Sequence, residues 1–387
     1  MPALLCLGLA GFLAVTTEML PVGLLPAISA AVGVHESDAG QLVTVYAVMV
    51  AVFSVPLTLG TKRCARRPLI LITIVGYLAS NVIIALAPHF GVIVAGRLVG
   101  GLAHSLFFSV CIGYVPRLVG HGLIGRGLAV VGAGTTAGFV LGVPLSTTLG
   151  SLLGWRNAFW VLAAIAVVVL ALVLRHLPAV AGSPGGRRRH GDGAHSQLVS
   201  VVASNTLTFV GQYTVYTYIS VVLLAAGAHT RWMGPLLLLC GICGLAGLVV
   251  VGRFIDRRQR MTVLSVLAAL ALAILAVGAA DTRLVVTVLA AAVWCGLFGG
   301  VPAMFQTSAV RVFASAPEVA GAWINASANI GIALGALIGG GLIGSSSATW
   351  HLAVVGAGFV TLALCVAAIG VREVSPVAAV ARKAPQT

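Results

Sequence analysis

The 387-residue chain holds eight carboxylates, and one of them, Glu18, lies inside a long apolar run. Glu36, Asp38, Asp192, Asp256, Asp281, Glu318 and Glu373 fall between such runs or at their ends. An ionised carboxylate in hydrocarbon is costly, and acids kept there mark ion or substrate pathways. A glutamate that alternates between protonated and ionised forms, as access alternates from side to side, carries a proton. A permanently protonated glutamate tying two helices is the other reading. Arg97 is the only basic residue clearly within a run, and His104 follows seven residues later. Seven residues are close to two helical turns, so Arg97, Gly101 and His104 share a face. Glu18 and His104 stand near the middles of their runs, hence at similar depth. The spacing therefore predicts a contact between them, direct or through water, with a side chain whose ordinary titration lies near neutrality. The alternative is a neutral imidazole bonded to a backbone carbonyl.

An offset of 194 residues carries Glu18 onto Gln212, so the second half has an amide where the first has an acid. Proton handling is thus expected in the first half and substrate hydrogen bonding in the second. Asn205, Tyr213 and Tyr216 are candidates to join Gln212, and Asn325 and Asn329 form a second polar face one turn apart. Phe107, Phe108 and Trp294 would supply apolar lining. A cavity with one buried acid offers little to a dication and more to a neutral or weakly charged amphipathic molecule. Seven cysteines include Cys240-x-x-Cys243, a metal or redox spacing with no second pair, read as buried free thiols. No metal and no cofactor are expected.

The elements that position these residues follow from composition. Sixty per cent of the chain is hydrophobic and 8% is charged, against about 25% charged in a soluble domain. Too few charges remain to cover a soluble globule, which excludes a soluble enzyme, a disordered chain and a nucleic-acid-binding domain; the net charge of +14 sits in short clusters between apolar runs. A helix needs about 20 apolar residues to cross the hydrocarbon core. Such runs occupy about 3–30, 40–61, 68–87, 91–116, 123–150, 157–177, 196–226, 232–252, 261–280, 284–311, 319–343 and 350–371. They are too long and uniform for barrel strands. With both termini inside, eighteen of the 22 basic residues fall on the cytoplasmic side, as the positive-inside rule requires. No cleavable leader is expected. The expectation is an all-α integral membrane protein of twelve spans in a cell membrane, in contact with lipid and not with nucleic acid.

The longest polar segment, Gly182 to His195, is Gly-rich and basic and reads as a flexible cytoplasmic linker. It divides the chain into a six-helix bundle at 1–178, a linker at 179–195, a second bundle at 196–372 and a cytoplasmic tail at 373–387. The halves repeat each other. Lys62-Arg63-Cys-Ala-Arg66-Arg67 follows span 2, and Asp256-Arg257-Arg258-Gln-Arg260 follows span 8. Span 5 carries Gly134-x-x-x-Gly138-x-x-x-Gly142-x-Pro144, and span 11 carries Gly331-x-x-x-Gly335-x-x-x-Gly339. Glycines four apart share a face and let helices approach closely.

On these residues the chain resembles the major facilitator superfamily, and within it the twelve-span drug–proton antiporters, such as bacterial chloramphenicol exporters and sugar or arabinose efflux proteins. Thr17-Glu18-Met-Leu-Pro-Val-Gly23-Leu-Leu-Pro26, Ala39-Gly40 through Tyr46-Ala47, Arg97-x-x-x-Gly101, Gly138-x-x-x-Gly142-Val-Pro144 and Gly154-Trp155-Arg156-x-x-Phe159 carry the resemblance. It implies the superfamily's fold, two pseudo-symmetric six-helix bundles. It also implies an antiporter motif at Gly134, Gly138, Gly142 and Pro144, proton coupling through Glu18 with Arg97 as relay or orienting residue, and a monomer. Arg63, Arg66, Arg67, Asp256, Arg257 and Arg258 would form a cytoplasmic gate. That loop departs from the family pattern, since Lys62 stands where an Asp is usual. The function implied is proton-coupled efflux of a small neutral or amphipathic molecule, such as a chloramphenicol-like drug. Sugar or nucleoside transport on the same fold is the alternative. No clustered acid, base and nucleophile argues for an enzyme.

Overall fold

The structure, a computed structural model, describes residues 2–61, 63–118, 124–179, 192–255, 258–280, 283–312, 317–343 and 347–370. Asp256 and Arg257 of the expected gate, the neighbouring Lys62 and most of the linker lie outside them. All the regular structure among the described residues is helical. The first half runs through α1 (Pro2–Val32), α2 (Glu36–Gly60), α3 (Arg66–Ala85), α4 (Phe90–Leu118), α5 (Ile124–Ala137), a π-helical turn (Gly138–Gly142), α6 (Val143–Leu153) and α7 (Trp155–His176). The second runs through α8 (Asp192–Tyr216), α9 (Ile219–Ala225), α10 (Met233–Ile255), α11 (Gln259–Ala279), α12 (Leu284–Gly299), α13 (Val301–Val312), α14 (Pro317–Leu342) and α15 (Ala348–Gly370). Among the described residues, eleven spans are long and apolar enough to cross a membrane, and α8 with α9, bent by 40°, make a twelfth when taken as one span.

Three of the twelve expected runs are not straight α-helices. Span 5 passes through the π-turn and then Pro144, which has no N–H to give to Val140. Span 10 breaks at Gly300, two residues before Pro302. Span 7, expected unbroken over 196–226, turns at Thr217 and Tyr218 with neither Gly nor Pro present. There the Tyr218 N–H bonds the Val215 carbonyl, closing a tight turn, and the Tyr218 hydroxyl donates to the Ala336 carbonyl of α14 at 3.0 Å. Tertiary contact, invisible to local pattern, sets this bend.

The internal repeat is physical. A Cβ at Gly134 would lie 2.0 Å from the Gly8 carbonyl oxygen, and one at Gly138 would lie 2.9 Å from the Phe12 oxygen. In the second half, a Cβ at Gly331 would meet the Thr206 oxygen at 2.6 Å and one at Gly335 the Val210 oxygen at 2.5 Å. Phe12 and Thr206 are related by the 194-residue offset, so the two glycine stripes meet the neighbouring helix at one matching carbonyl. Arginines repeat the pattern at the helix ends. Arg67 donates to the Leu174 carbonyl near the end of α7, and Arg260 donates to the Ala368 carbonyl near the end of α15 at 2.9 Å. Leu174 and Ala368 are again 194 apart. A cation there meets carbonyls that have no partner within their own helix.

Each half has its own apolar core. The first gathers Leu7, Ile70, Tyr77, Phe107, Tyr114 and Phe159. The second gathers Leu267, Ile274, Trp294, Phe305, Leu352 and Val360, and draws in Met19, Val22, Val43 and Val143 from the first. Along the seam α2 packs on α14, α6 on α10 and α1 on α9. The Thr44 hydroxyl donates to the Ala333 carbonyl at 3.3 Å, and Gly234 lies against Thr148 and Pro144. The Tyr218 ring wedges between α2 and α14, where a Cβ at Gly40 would strike its hydroxyl. These contacts lie in the later halves of α1, α14 and the bent span 5 and in the first halves of α2 and α10. The halves are therefore closed together at the end of the bundle far from Pro2.

Candidate functional site

Two prolines inside α1 organise the site. Pro21 and Pro26 have no N–H, so the carbonyls four residues earlier, Thr17 and Val22, lose their helical partners. Each finds a donor elsewhere. Arg97 Nη1 donates to the Thr17 carbonyl at 2.8 Å, and the Ser220 hydroxyl, from the second half, donates to the Val22 carbonyl at 2.9 Å. Arg97 also donates from Nη2 to the Glu18 carbonyl at 2.8 Å and from Nε to the Leu42 carbonyl of α2 at 2.9 Å. Its guanidinium carbon lies 4.1 Å from the centre of the Tyr46 ring, a cation–π contact. Arg97 is fully buried. Its fork is thus committed to backbone oxygens of two helices, and its hydrogen bonds go to the Glu18 carbonyl and not to the Glu18 carboxylate.

The carboxylate faces His104 instead. Glu18 Oε2 lies 3.7 Å from His104 Nε2, within ion-pair reach and just beyond hydrogen-bond length. The other imidazole nitrogen, Nδ1, is hydrogen-bonded to the Tyr46 hydroxyl at 3.0 Å. The Tyr46 and Tyr77 rings stand edge-on to the imidazole, and Phe108 lies tilted against it, 4.9 Å between centres. Glu18 is 6% exposed and His104 2%. Asn81 of α3 completes the cluster, donating to the Thr17 hydroxyl at 3.1 Å and the Tyr77 carbonyl at 2.8 Å. Four helices thus converge on one acid, one imidazole and one fixed cation, in a medium where each interaction is screened little.

Across the seam, Trp294 Nε1 donates to Gln212 Oε1 at 2.7 Å. Tyr216 stands edge-on to Trp294 and to Tyr213, and Phe209 stacks along Tyr213. The Tyr213 hydroxyl reaches the Met19 sulfur at 3.6 Å, directly joining the two halves. Asn205 donates to the Ile324 carbonyl at 3.1 Å and the Ser327 hydroxyl at 2.7 Å, tying α8 to α14. Asn329 donates back to the Asn325 carbonyl at 3.0 Å. The side-chain oxygens of Asn205 and Asn329 are buried without a hydrogen-bond partner among the described residues.

The sequence-predicted residues therefore separate into groups. Glu18 and His104 meet, as do Gln212 and Trp294, with Tyr213 and Tyr216 beside them. Phe107 is fully buried in the first-half core against Tyr77 and Phe108. Gly134, Gly138 and Gly142 form the surface by which α5 and the π-turn lie on α1, while the Pro144 carbonyl meets Gly234 of α10 on the other side. Of the loop arginines, Arg63 and Arg258 are exposed, and Arg67 caps α7. Sequence reasoning missed Tyr46, Asn81, Ser220 and Met19. The two prolines of α1 were the available signal, since each orphaned carbonyl demands a donor from another helix.

Twelve spans in two repeated halves, with a buried acid at their seam, define a polytopic membrane protein of the secondary-transporter class. The chain belongs to the major facilitator superfamily, whose model matches residues 7–323. Among solved structures it is similar to the xylose transporter XylE from E. coli in an inward-open conformation, with a TM-score of 0.76 at 16% identity over 96% of both chains. It is also similar to the human organic anion transporter MFSD10, with a TM-score of 0.71 at 18% identity over 95% of this chain and 98% of that one. A bacterial homolog of the human lysosomal transporter Spinster gives 0.73 at 15% identity, covering 97% and 98%. At such identities the likeness is one of fold.

Proposed function

We propose that this chain exports a small neutral or amphipathic organic molecule, of the chloramphenicol-like kind, in exchange for protons, with the two halves rocking about the seam. The observation that carries this reading is Glu18, a carboxylate buried at the seam and facing an imidazole at 3.7 Å. A proton taken up there neutralises a charge that is otherwise costly to bury, which links proton occupancy to the closing of the site. Opposite it, Gln212, Trp294, Tyr213 and Tyr216 present amide, indole and phenol groups and no charge, a surface for aromatic and hydrogen-bonding solutes. The unpartnered oxygens of Asn205 and Asn329 are acceptors for a ligand's donors.

Within this reading the units are a first bundle at 1–178, a linker at 179–195 and a second bundle at 196–372, with termini and basic loops in the cytoplasm of a cell whose plasma membrane holds the protein as a monomer. Seam contacts at the end far from Pro2 then correspond to an outer gate that is shut. A second reading, sugar or nucleoside transport, draws support from the neutral Gln212–Trp294 pair and from likeness to a D-xylose–proton symporter.

The test is proton movement in energised inside-out vesicles, followed with a pH-sensitive dye. Chloramphenicol-like drugs, sugars and nucleosides are added in turn to wild type and to Glu18→Gln. A drug that releases lumenal protons only through wild type supports the first reading, and a sugar that does so supports the second. An unchanged response in the variant would remove Glu18 as the carrier.

A further inference from the structure

Resting on that proton-coupled reading, we infer that Tyr46 is a positioning residue that passes protons to Glu18 by reversing the tautomer of His104. Three side chains stand in line: the Tyr46 hydroxyl, 3.0 Å from Nδ1, the imidazole, and the Glu18 carboxylate, 3.7 Å from Nε2. A neutral imidazole carries one N–H and one bare nitrogen, so its two neighbours must play opposite parts. Beside an ionised Glu18 the proton sits on Nε2, and Nδ1 accepts the Tyr46 O–H. Beside a protonated Glu18 the carboxylic O–H donates to Nε2, and the Nδ1–H donates to the Tyr46 oxygen. A hydroxyl can fill both parts, since it donates and accepts and can exchange its proton; a phenyl ring in its place can do neither.

The step balances. A hydronium ion gives a proton to the Tyr46 oxygen while the original Tyr46 proton moves to Nδ1. The Nε2 proton moves to the Glu18 carboxylate. One proton has entered, the phenol is restored, Glu18 is neutral and the imidazole has changed tautomer without holding a charge. Release runs in reverse. The surroundings favour this over an imidazolium. Arg97, on the same helix, lies over the Tyr46 ring and is held there by three carbonyls. A second cation beside it, with one buried carboxylate to serve both, would be poorly compensated. The other titratable side chains around the group, Tyr77 from α3 and Tyr213 from α8, are phenols.

Two measurements test this. The first compares wild type and Tyr46→Phe in proteoliposomes, reading chloramphenicol transport driven by a pH gradient alongside chloramphenicol exchange at equal pH, which needs no net proton movement. Loss of a positioned proton-transfer group should cost about tenfold or more in the driven rate, while exchange should stay within about twofold. A merely structural role would lower both together. If wild type shows no coupling, the antiport reading fails and the inference falls with it. If wild type is coupled and Tyr46→Phe equally so, only the inference falls. The second measurement is the 15N spectrum of imidazole-labelled protein over a range of pH, with His104→Gln assigning the resonance. The inference requires that His104 stay neutral and reverse its tautomer as Glu18 titrates, and that the reversal vanish in Glu18→Gln. An imidazolium, or one fixed tautomer throughout, would overturn it.

Discussion

Arg97 shows how a charge buried in a membrane protein is put to structural use. Its three hydrogen bonds to the Thr17, Glu18 and Leu42 carbonyls join α1, α2 and α4. A lysine has the charge but no planar fork, and cannot reach three oxygens in this arrangement. Arg97→Lys should therefore lower thermal stability in detergent, with a loss of about 1–3 kcal/mol for each carbonyl left unsatisfied. The role of Pro21 is separable. Pro21→Ala restores the N–H that Thr17 lacks, so removing Arg97 should cost less in that background than in wild type. A double-mutant cycle read by thermal unfolding checks this; equal costs in both backgrounds would show that the Thr17 carbonyl is not what Arg97 serves. At this scale the sequence was partly legible. Glu18, Arg97 and His104 could be picked out because charge in hydrocarbon is rare. Tyr46 and Ser220 could not, because a tyrosine or serine in an apolar helix is ordinary until its partner is known.

Among elements, α1 meets α5 and its π-turn backbone to backbone. At Gly134 even one added methyl would press on the Gly8 carbonyl, whereas Gly132, two residues earlier, has open space around its would-be Cβ. Gly134→Ala should separate the helices at a cost of about 1–3 kcal/mol, with lower yield and a broader profile in size-exclusion chromatography. Gly132→Ala should be neutral or stabilising by up to about 1 kcal/mol, since it only raises helix propensity. Equal behaviour of the two variants would refute the close-packing account. The glycine spacing and the twelve spans were legible because period and length are local properties. The turn at Thr217–Tyr218 was not, because it is imposed from α14 and α2 by contacts more than a hundred residues away in sequence.

For the whole molecule, the seam is closed by contacts toward the end of the bundle far from Pro2. If the halves rock, this end must part. Cysteines placed at Thr44 and Ala333, whose hydroxyl and carbonyl are 3.3 Å apart, should cross-link and stop transport, and reduction should restore it. Full transport by the linked protein would mean that this end never opens. Ser220→Ala, which leaves the Val22 carbonyl unserved, should raise labelling of a cysteine placed at Ala333 in the otherwise wild-type protein. The halves' repetition was legible in the loops and glycines, but which residues meet across the seam was not, since the offset says what corresponds and not what touches. Met19 and Tyr213 do both: they are 194 residues apart and in contact. In a symmetric dimer, residues on the two-fold axis face their own images and must suit themselves. Two identical subunits would have to set glutamate beside glutamate around such an axis, or do without the acid. Joining the halves in one chain frees each position from its image, and that covalent asymmetry is what allows a single Glu18 to stand opposite a Gln212.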